Sequence, residues 1–394
     1  MKKTLLTICL VWMCFSLSAQ KIIDLSGKWS FSIDRQDNGE KEKWFSHTLN
    51  DFINLPGSMP EKQKGDEVTA KTQWTGSLYD SSYYYNPYME KYRKEGNIKF
   101  PFFLTPDKHY VGAAWYQKEV NIPADWKGER ILLFLERPHI ETTVWVNGQK
   151  TGMQNSLCVP HQYDITRYVR PGKCTITIRV DNRIKEINVG PDSHSITDQT
   201  QGNWNGIVGR ICLQTTPKTY FDDIQIYPEP EQKLARVKVV IKGTGTAKVK
   251  LSAESFNTDK KHIVPAIQQE IKLNKGVTET EMVLPMGNDM LLWDEFHPAL
   301  YKLKAEVTNG KKTEIKEIQF GMRRFEIKGK WFYVNGRKTQ LRGTVENCDF
   351  PLTGYAPMDV ESWERVFRIC RSYGLNHMRF HSFCPPEAAF MAAD

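Results

Sequence analysis

Apolar residues recur at nearly every second position over most of this chain, and turn residues repeatedly cut the alternation. Trp29-Ser30-Phe31-Ser32-Ile33 reads as a strand with one buried face, and Thr143-Val144-Trp145-Val146 as another that ends at the tight-turn pair Asn147-Gly148. Ile131 to Leu135 and Thr175 to Val180 add further strands. From Ile22 to Pro228 no long helical period interrupts this rhythm, so the pattern predicts an all-β sandwich over residues 21–228. One stretch, Leu78 to Tyr110, is rich in tyrosine and charge and reads as a long surface excursion.

A second β unit follows over residues 229–321, with Pro228-Glu229-Pro230 as the expected boundary. Val237 to Ile241, Ala247 to Leu251, Lys302 to Val307 and Lys316 to Phe320 alternate like strands, and a unit of this size fits an immunoglobulin-like sandwich. After Gly321 the periodicity changes. Thr339 to Gly343 reads as a strand, and Asp359 to Tyr373 as a helix that Asp359 caps, with Val360, Trp363, Val366, Phe367 and Cys370 on one face. Asn376 to Phe380 is the next strand, and Pro385-Pro386 opens a second helix. Strand, helix, strand, helix is the unit of a parallel α/β fold. The expected fold is therefore mainly β: two sandwiches, then two β-α units over residues 322–394.

The first twenty residues depart from all of this. Lys2-Lys3, an apolar run from Leu5 to Met13 and the small residues Ser16 to Ala19 have the three-part layout of a secretory signal. The expectation is export, periplasmic or secreted, after cleavage near Ala19 or Gln20. About 374 residues then remain, and the net charge of +8 falls to +6. The basic residues are scattered, which argues against a nucleic-acid partner, and no later stretch reads as a membrane span. Six of eight cysteines lie beyond the signal, with no C-x-x-C spacing and no histidine at metal-ligand distance. Buried free thiols are the favoured reading; export leaves a disulfide open without giving its pairing. Aromatics make up 12% of the chain, and any single one is expected in a core before it is assigned to a sugar ring.

Several segments, in order, resemble glycoside hydrolase family 2, the β-galactosidase, β-glucuronidase and β-mannosidase group. Leu25 to Phe31 resembles its entry strand, Ala114 to Val120 and Val144 to Gly148 the core of its jelly-roll sugar-binding domain, and Gly206 to Arg210 the closing strand. Asp164-Ile165-Thr166 and Val180-Asp181-Asn182 continue the likeness. Trp293 with His297-Pro298-Ala299-Leu300-Tyr301 resembles the end of its immunoglobulin-like domain, while Phe320 to Arg323, Val334 to Gly336 and Leu341 to Gly343 resemble the lead into its barrel. The resemblance implies an N-terminal portion of a retaining β-glycosidase, β-galactosidase-like, acting on terminal β-glycosidic bonds of oligo- or polysaccharides. It implies no cofactor and no metal. The competing reading is a non-catalytic carbohydrate-binding β-sandwich protein.

Active sites of such barrels lie at the C-terminal ends of the strands. Arg379 and His381 match an arginine and a histidine that the family carries two apart at the second strand end. A guanidinium there can orient a sugar hydroxyl or carboxylate, and an imidazole can hydrogen-bond a hydroxyl. From spacing alone, an ion pair holding barrel loops together is an equal alternative. Glu346 and Asn347, at the first strand end, are expected as substrate contacts. A histidine usual a few residues after Leu341-Arg342-Gly343 is missing here, which bears on sugar specificity. Asp198, Asn203 and Trp204 are further candidates, because the family's loop before the closing jelly-roll strand reaches the active site; an ordinary loop with Trp204 tucked into the sandwich is as good an account. A full barrel takes about 250 residues, so the catalytic carboxylates have no counterparts in the 73 residues after Gly321. The expected catalytic assignment within this chain is none. Homo-oligomerisation, or a second chain that completes the barrel, is left open. The segment after Gly321 is expected to be the least stable part and the first removed by a protease, because two β-α units cannot bury both faces of a parallel sheet.

Overall fold

The computed structural model describes residues 20–69, 71–73, 75, 85–99, 104–185, 193, 195–198 and 202–394. The expected signal segment lies outside this set, except for Gln20, as does much of the tyrosine-rich stretch. The chain forms two compact units. One holds residues 21–216, 293–298 and 323–394; the other holds 217–292 and 299–322.

The first unit begins with strands β1 (Ile22–Asp24), β2 (Gly27–Asp34), β3 (Asp51–Leu55), β4 (Gly57–Ser58), β5 (Asp66–Glu67) and β6 (Lys108–His109). It continues with β7 (Ala113–Ile122), β8 (Arg130–His139), β9 (Glu141–Val146), β10 (Gln149–Asn155), β11 (His161–Asp164), β12 (Gly172–Asp181) and β13 (Gly206–Thr216). One sheet has the order β1-β13-β8-β11, with β4 added to β13; the other runs β10-β9-β12-β7-β2-β3. Their pairings are antiparallel throughout. The inward positions of both sheets, among them Trp29, Phe31, Leu133, Leu135, Val144, Ile176 and Leu213, meet in one core, as the alternation predicts. Asn147 and Gly148 take positive φ (49° and 77°) in the β9–β10 hairpin.

The outer face of the six-stranded sheet is also apolar, and local chain covers it. Trp115 and Trp145 stack there, with Trp44, Phe45 and Leu49 laid over them. Asp34 ties the cover down by accepting hydrogen bonds from Trp115 Nε1 and from the Asn38 and Gly39 amides, each at 2.9 Å. The backbone passes so close that a Cβ on Gly39 would lie 2.5 Å from Trp115 Nε1. These aromatic residues are core, as expected of any single one, whereas Tyr88, Phe296 and Tyr373 are exposed.

The second unit holds β14 (Tyr220–Glu229), β15 (Leu234–Ser255), β16 (Ile263–Pro285), β17 (Leu300–Asn309) and β18 (Lys312–Gly321), in the order β14-β15-β17-β18 with β16 also on β15. Two expectations are corrected here. Residues 217–228 belong to this unit rather than to the jelly roll, because Pro228-Glu229-Pro230 is a hairpin inside it: β14 pairs with β15 from Tyr220↔Lys242 to Glu229↔Leu234, and Lys233 turns the chain at φ 55°. The segments Val237–Ile241 and Ala247–Leu251 are halves of one long strand, interrupted by an irregularity between Gly243 and Gly245 instead of a turn. Both halves send residues into one core. The far edges β14 and β18 meet where Glu314 accepts a hydrogen bond from the Phe221 amide (2.6 Å) and Lys316 Nζ donates to the Phe221 carbonyl (2.6 Å).

The remaining elements belong to the first unit. A three-stranded ribbon, β19 (Phe325–Lys328), β20 (Trp331–Val334) and β21 (Arg337–Thr339), leads into β22 (Gly343–Glu346), helix α1 (Val360–Ser372), β23 (His377–Phe380) and helix α2 (Glu387–Ala393). The helix starts as expected, with Asp359 Oδ1 accepting from the Ser362 amide at 2.8 Å, and Gly374 follows it at φ 76°. Strands β22 and β23 are parallel, paired from Gly343↔His377 to Glu346↔Phe380. Residues 293–298 brace the entry to them. Glu295 takes hydrogen bonds from Arg342 (3.3 Å) and Asn376, and Asn335 Nδ2 donates to the Trp293 carbonyl at 3.0 Å.

Candidate active site

Alternation along β22 and β23 sorts their side chains onto two faces. Met378 and Phe380 pack with Trp363 and Phe367 of α1 and with Ala388 and Ala389 of α2. Val345 and Arg379, which are register partners, point the other way and are exposed. That face would look into a barrel. The Arg379 side chain makes no hydrogen bond or ion pair among the described residues.

At the C-terminal ends of the two strands, His381 N–H donates to the Glu346 carbonyl (2.8 Å), extending the ladder by one step. Beyond it, His381 Nδ1 lies 3.0 Å from Asn347 Oδ1, so Nδ1 carries the proton and the exposed Asn347 orients the ring. Glu346 Oε1 accepts the Cys348 amide at 2.8 Å, which turns the carboxylate back onto its own loop. Arg379, His381 and Asn347 therefore gather at the strand ends, with Glu346 shaping the loop beside them.

The loop before β13 does reach this place. Ser195 Oγ donates to the Ser382 carbonyl at 2.8 Å, one residue beyond His381. The three loop candidates are spent differently from the expectation. Asp198 is buried, accepting the Thr75 amide at 2.6 Å and lying 3.4 Å from His109 Nε2. Asn203 is buried too, bonding the Asn182 carbonyl (2.9 Å) and His139 Nε2 (3.1 Å). Trp204 stacks on His139 (centroids 4.6 Å apart) and leans on Tyr355 of the β22–α1 loop at 5.5 Å. Buried polar groups are ordinarily hydrogen-bonded; Asn203 is bonded at both ends of its amide, and Asp198 through Oδ2 with Oδ1 facing His109. In this structure all three residues hold the loop, which is the arrangement of the ordinary-loop alternative.

Sequence reasoning missed the junction between jelly roll and barrel start, because its partners are far apart along the chain. Ser58 Oγ donates to the Thr353 carbonyl (2.5 Å), Tyr355 donates to Glu61 Oε2 (2.9 Å), Arg137 donates to the Cys384 carbonyl, and Arg210 pairs with Glu387 (2.5 Å). Burial and the neighbouring Glu61 push the Tyr355 phenol up from its ordinary value. Burial drives the His139 imidazole down to about 3, so it stacks on Trp204 as a neutral ring. The cavity at this junction holds about 50 Å³, too little for a sugar. A roomier groove of about 1060 Å³ runs between residues 349–360, α2 and the Glu136–Arg210 region, but none of Arg379, His381, Glu346 or Asn347 lines it. The strand ends are the better candidate.

Residues 22–217 match the family model described as "Glycosyl hydrolases family 2, sugar binding domain", and residues 219–323 match the model "Glycosyl hydrolases family 2". Among curated relatives, a putative β-glucuronidase of Formosa agariphila is 27% identical over 74% of this chain and 34% of its own length. A β-galactosidase of Thermoanaerobacter pseudethanolicus is 24% identical over 75% of this chain and 39% of its length. A β-glucuronidase of Paenibacillus borealis is 24% identical over 95% and 57%. The chain thus spans between a third and three fifths of the relatives it matches. Among solved structures, Bacteroides uniformis β-glucuronidase 2, covalently bound to cyclophellitol-6-carboxylate aziridine, aligns with a TM-score of 0.70 at 17% identity, over 95% of this chain and 41% of that one. A Ruminococcus gnavus β-glucuronidase aligns at 0.66 and 19%, over 96% and 58%. These last two likenesses concern the fold.

Proposed function

The chain belongs to glycosyl hydrolases family 2, and from that premise we propose that it serves as the amino-terminal portion of an exported, retaining β-glycosidase. The observation that carries the reading is the convergence at the strand ends. Arg379 and His381 lie at the C-terminal end of β23, the end at which barrels of this kind carry their sites, His381 meets Asn347, and Ser195 brings the jelly-roll loop to the same rim. In this reading Arg379 presents its planar donors to a hydroxyl or carboxylate of the terminal sugar, and His381 hydrogen-bonds a neighbouring hydroxyl. Retention requires two carboxylates roughly 5–5.5 Å apart, one protonating the leaving oxygen and one attacking the anomeric carbon. No residue of these 394 is assigned to that pair. The substrate is a terminal β-linked hexose or hexuronic acid; relatives named as galactosidases and as glucuronidases support the class, and the missing histidine after Gly343 leaves the choice to experiment. The matched family models favour this over a stand-alone carbohydrate-binding module. Export rests on the layout of residues 1–20.

The test compares the 394-residue chain with a polypeptide extended through a complete barrel, both assayed on aryl β-galactoside and aryl β-glucuronide. The short chain should turn over neither. The extended one should hydrolyse at least one, releasing the β-anomer first by NMR, and Arg379→Ala in it should lower kcat/KM at least tenfold. An α-anomer as first product would refute retention. Turnover by the short chain that Glu346→Gln or Asp349→Asn abolishes would overturn the assignment of the chemistry elsewhere. Sugar binding without hydrolysis by the extended polypeptide would favour the binding module.

A further inference from the structure

Three of the six cysteines beyond the expected signal meet at the junction cavity. Cys158 follows β10, Cys348 lies on the exit from β22, and Cys384 follows β23; all three line the same cavity of about 50 Å³, beside Arg137 and Tyr355. They come from segments distant in sequence, yet Cys158 is close enough to bear electrostatically on both of the others. The other three are placed differently: Cys174 and Cys212 lie in the jelly-roll strands β12 and β13, and Cys370 lies on α1. All six are free thiols.

The geometry points to an oxidisable thiol pair at this junction, Cys158 and Cys384, which a disulfide-class oxidant converts into a bond tying the jelly roll to the barrel start. Cys384 is exposed and Cys158 half-buried, so an oxidant can reach the first and the second can follow. Cys348 is the poorer partner because it is buried; burial pushes its thiol up to about 12 and raises the Cys384 thiol as well, but Cys384 remains exposed to an oxidant. Chemically, the Cys384 thiolate attacks one sulfur of the oxidant disulfide and expels one thiolate. The Cys158 thiolate then attacks Cys384 Sγ in the mixed disulfide and expels the second. Two protein thiols and one small disulfide become one protein disulfide and two small thiols, and two electrons pass to the oxidant. The bond would close a very long loop at a seam otherwise held by hydrogen bonds, an ion pair and ring contacts, which restricts the unfolded chain most. Exported proteins meet oxidants of this class, so the compartment would set the state of the seam. The inference does not depend on the glycosidase chemistry, but its oxidant rests on the export proposed above.

The purified chain would be equilibrated with oxidised glutathione or with dithiothreitol and digested without reduction. Mass spectrometry should find a Cys158–Cys384 linked peptide in the oxidised sample, lighter by two hydrogens than the sum of its parts. Thiol titration should fall by two groups. Cys348→Ser should keep the link, whereas Cys158→Ser and Cys384→Ser should lose it. Hydrogen exchange of residues 343–394 should slow on oxidation in the unsubstituted chain and in Cys348→Ser alone. Melting curves of the reduced variants that superimpose on the reduced unsubstituted chain would separate lost linkage from lost folding, and the linked peptide in the unsubstituted chain needs no variant at all. A Cys158–Cys348 link, glutathione trapped on Cys384 without a link, or a thiol count unchanged by oxidation would each overturn the assignment.

Discussion

The jelly roll and the barrel start bury comparable residue types by opposite means. In the jelly roll, two antiparallel sheets cover each other, and residues 35–50 cover the remaining apolar face of one sheet. Every cover comes from local strands and the loops between them. In the barrel start, the parallel pair β22–β23 covers one face with α1 and α2 and leaves the other bare, with Val345 51% exposed. A parallel sheet is ordinarily buried on both faces. What holds this one is its edge: residues 349–359, 382–387 and the brace at 293–298 are hydrogen-bonded to neighbours elsewhere in the same unit. An antiparallel sandwich can close on itself, whereas a parallel pair depends on what docks against it. These contacts support the tail along its edge while its inner face stays open.

The largest effects should come from the cores. Leu133→Ala, at a fully buried position, should cost about 2–5 kcal/mol and lower the calorimetric transition of the jelly roll. Trp363→Ala should cost a similar amount locally, about 3–5 kcal/mol, yet show as faster hydrogen exchange and earlier proteolysis of residues 343–394. If Trp363→Ala drags the jelly-roll transition down equally, the two regions are one cooperative element and the contrast between them fails.

The junction comes next. Tyr355→Phe removes a hydrogen bond to the Glu61 carboxylate and should cost about 1.5–3 kcal/mol, read as tail exchange with the jelly-roll transition unmoved. An unchanged exchange rate would mean that the seam is held by packing alone.

Acid should weaken the jelly roll. Burial holds His139 at about 3 and His161 at about 4 in the folded chain, against an ordinary value of 6.5. Below pH 6.5 the unfolded chain takes up these protons and the folded chain does not, so their stabilisation is complete above 6.5 and is lost as pH falls toward 4 and then 3. Between pH 6.5 and pH 5 the loss should be about 2 kcal/mol per histidine, measured by denaturant titration at the two pH values. His139 faces Asn203, Trp204 and Arg137, so His139→Gln should flatten the slope by about half. A pH-independent midpoint over this range would show that the imidazoles are solvated.

The smallest effect is expected at the edge of the seam. Arg210 and Glu387 are paired at 2.5 Å, but each side chain is 61% exposed. Glu387→Gln should change tail exchange by less than about 1 kcal/mol, and less still at high salt. A larger effect would move the weight of docking from Tyr355 to this pair.

The sequence by itself determined the elements and their order. Strict alternation, Asn147-Gly148 and Asn335-Gly336 at positive φ, Asp359 as a cap and Gly374 as a stop are local instructions, carried within a few residues, and each is met in the fold. It also brought His381 beside Asn347, because parallel neighbours in a β-α-β unit bring their C-terminal ends to one rim. Where it went astray, the deciding contact was remote. Pro228-Glu229-Pro230 carries the composition of a linker, and only the pairing of Tyr220–Glu229 with Leu234–Lys242 makes it a hairpin. Asp198 and Asn203 are polar loop residues in sequence, and only burial against His109, His139 and Asn182 turns them inward. The junction of Ser58, Glu61 and Arg137 with Thr353, Tyr355 and Cys384 spans some two hundred and fifty to three hundred residues. No local period encodes such a meeting; it exists because two folded surfaces leave complementary donors, acceptors and rings opposite each other.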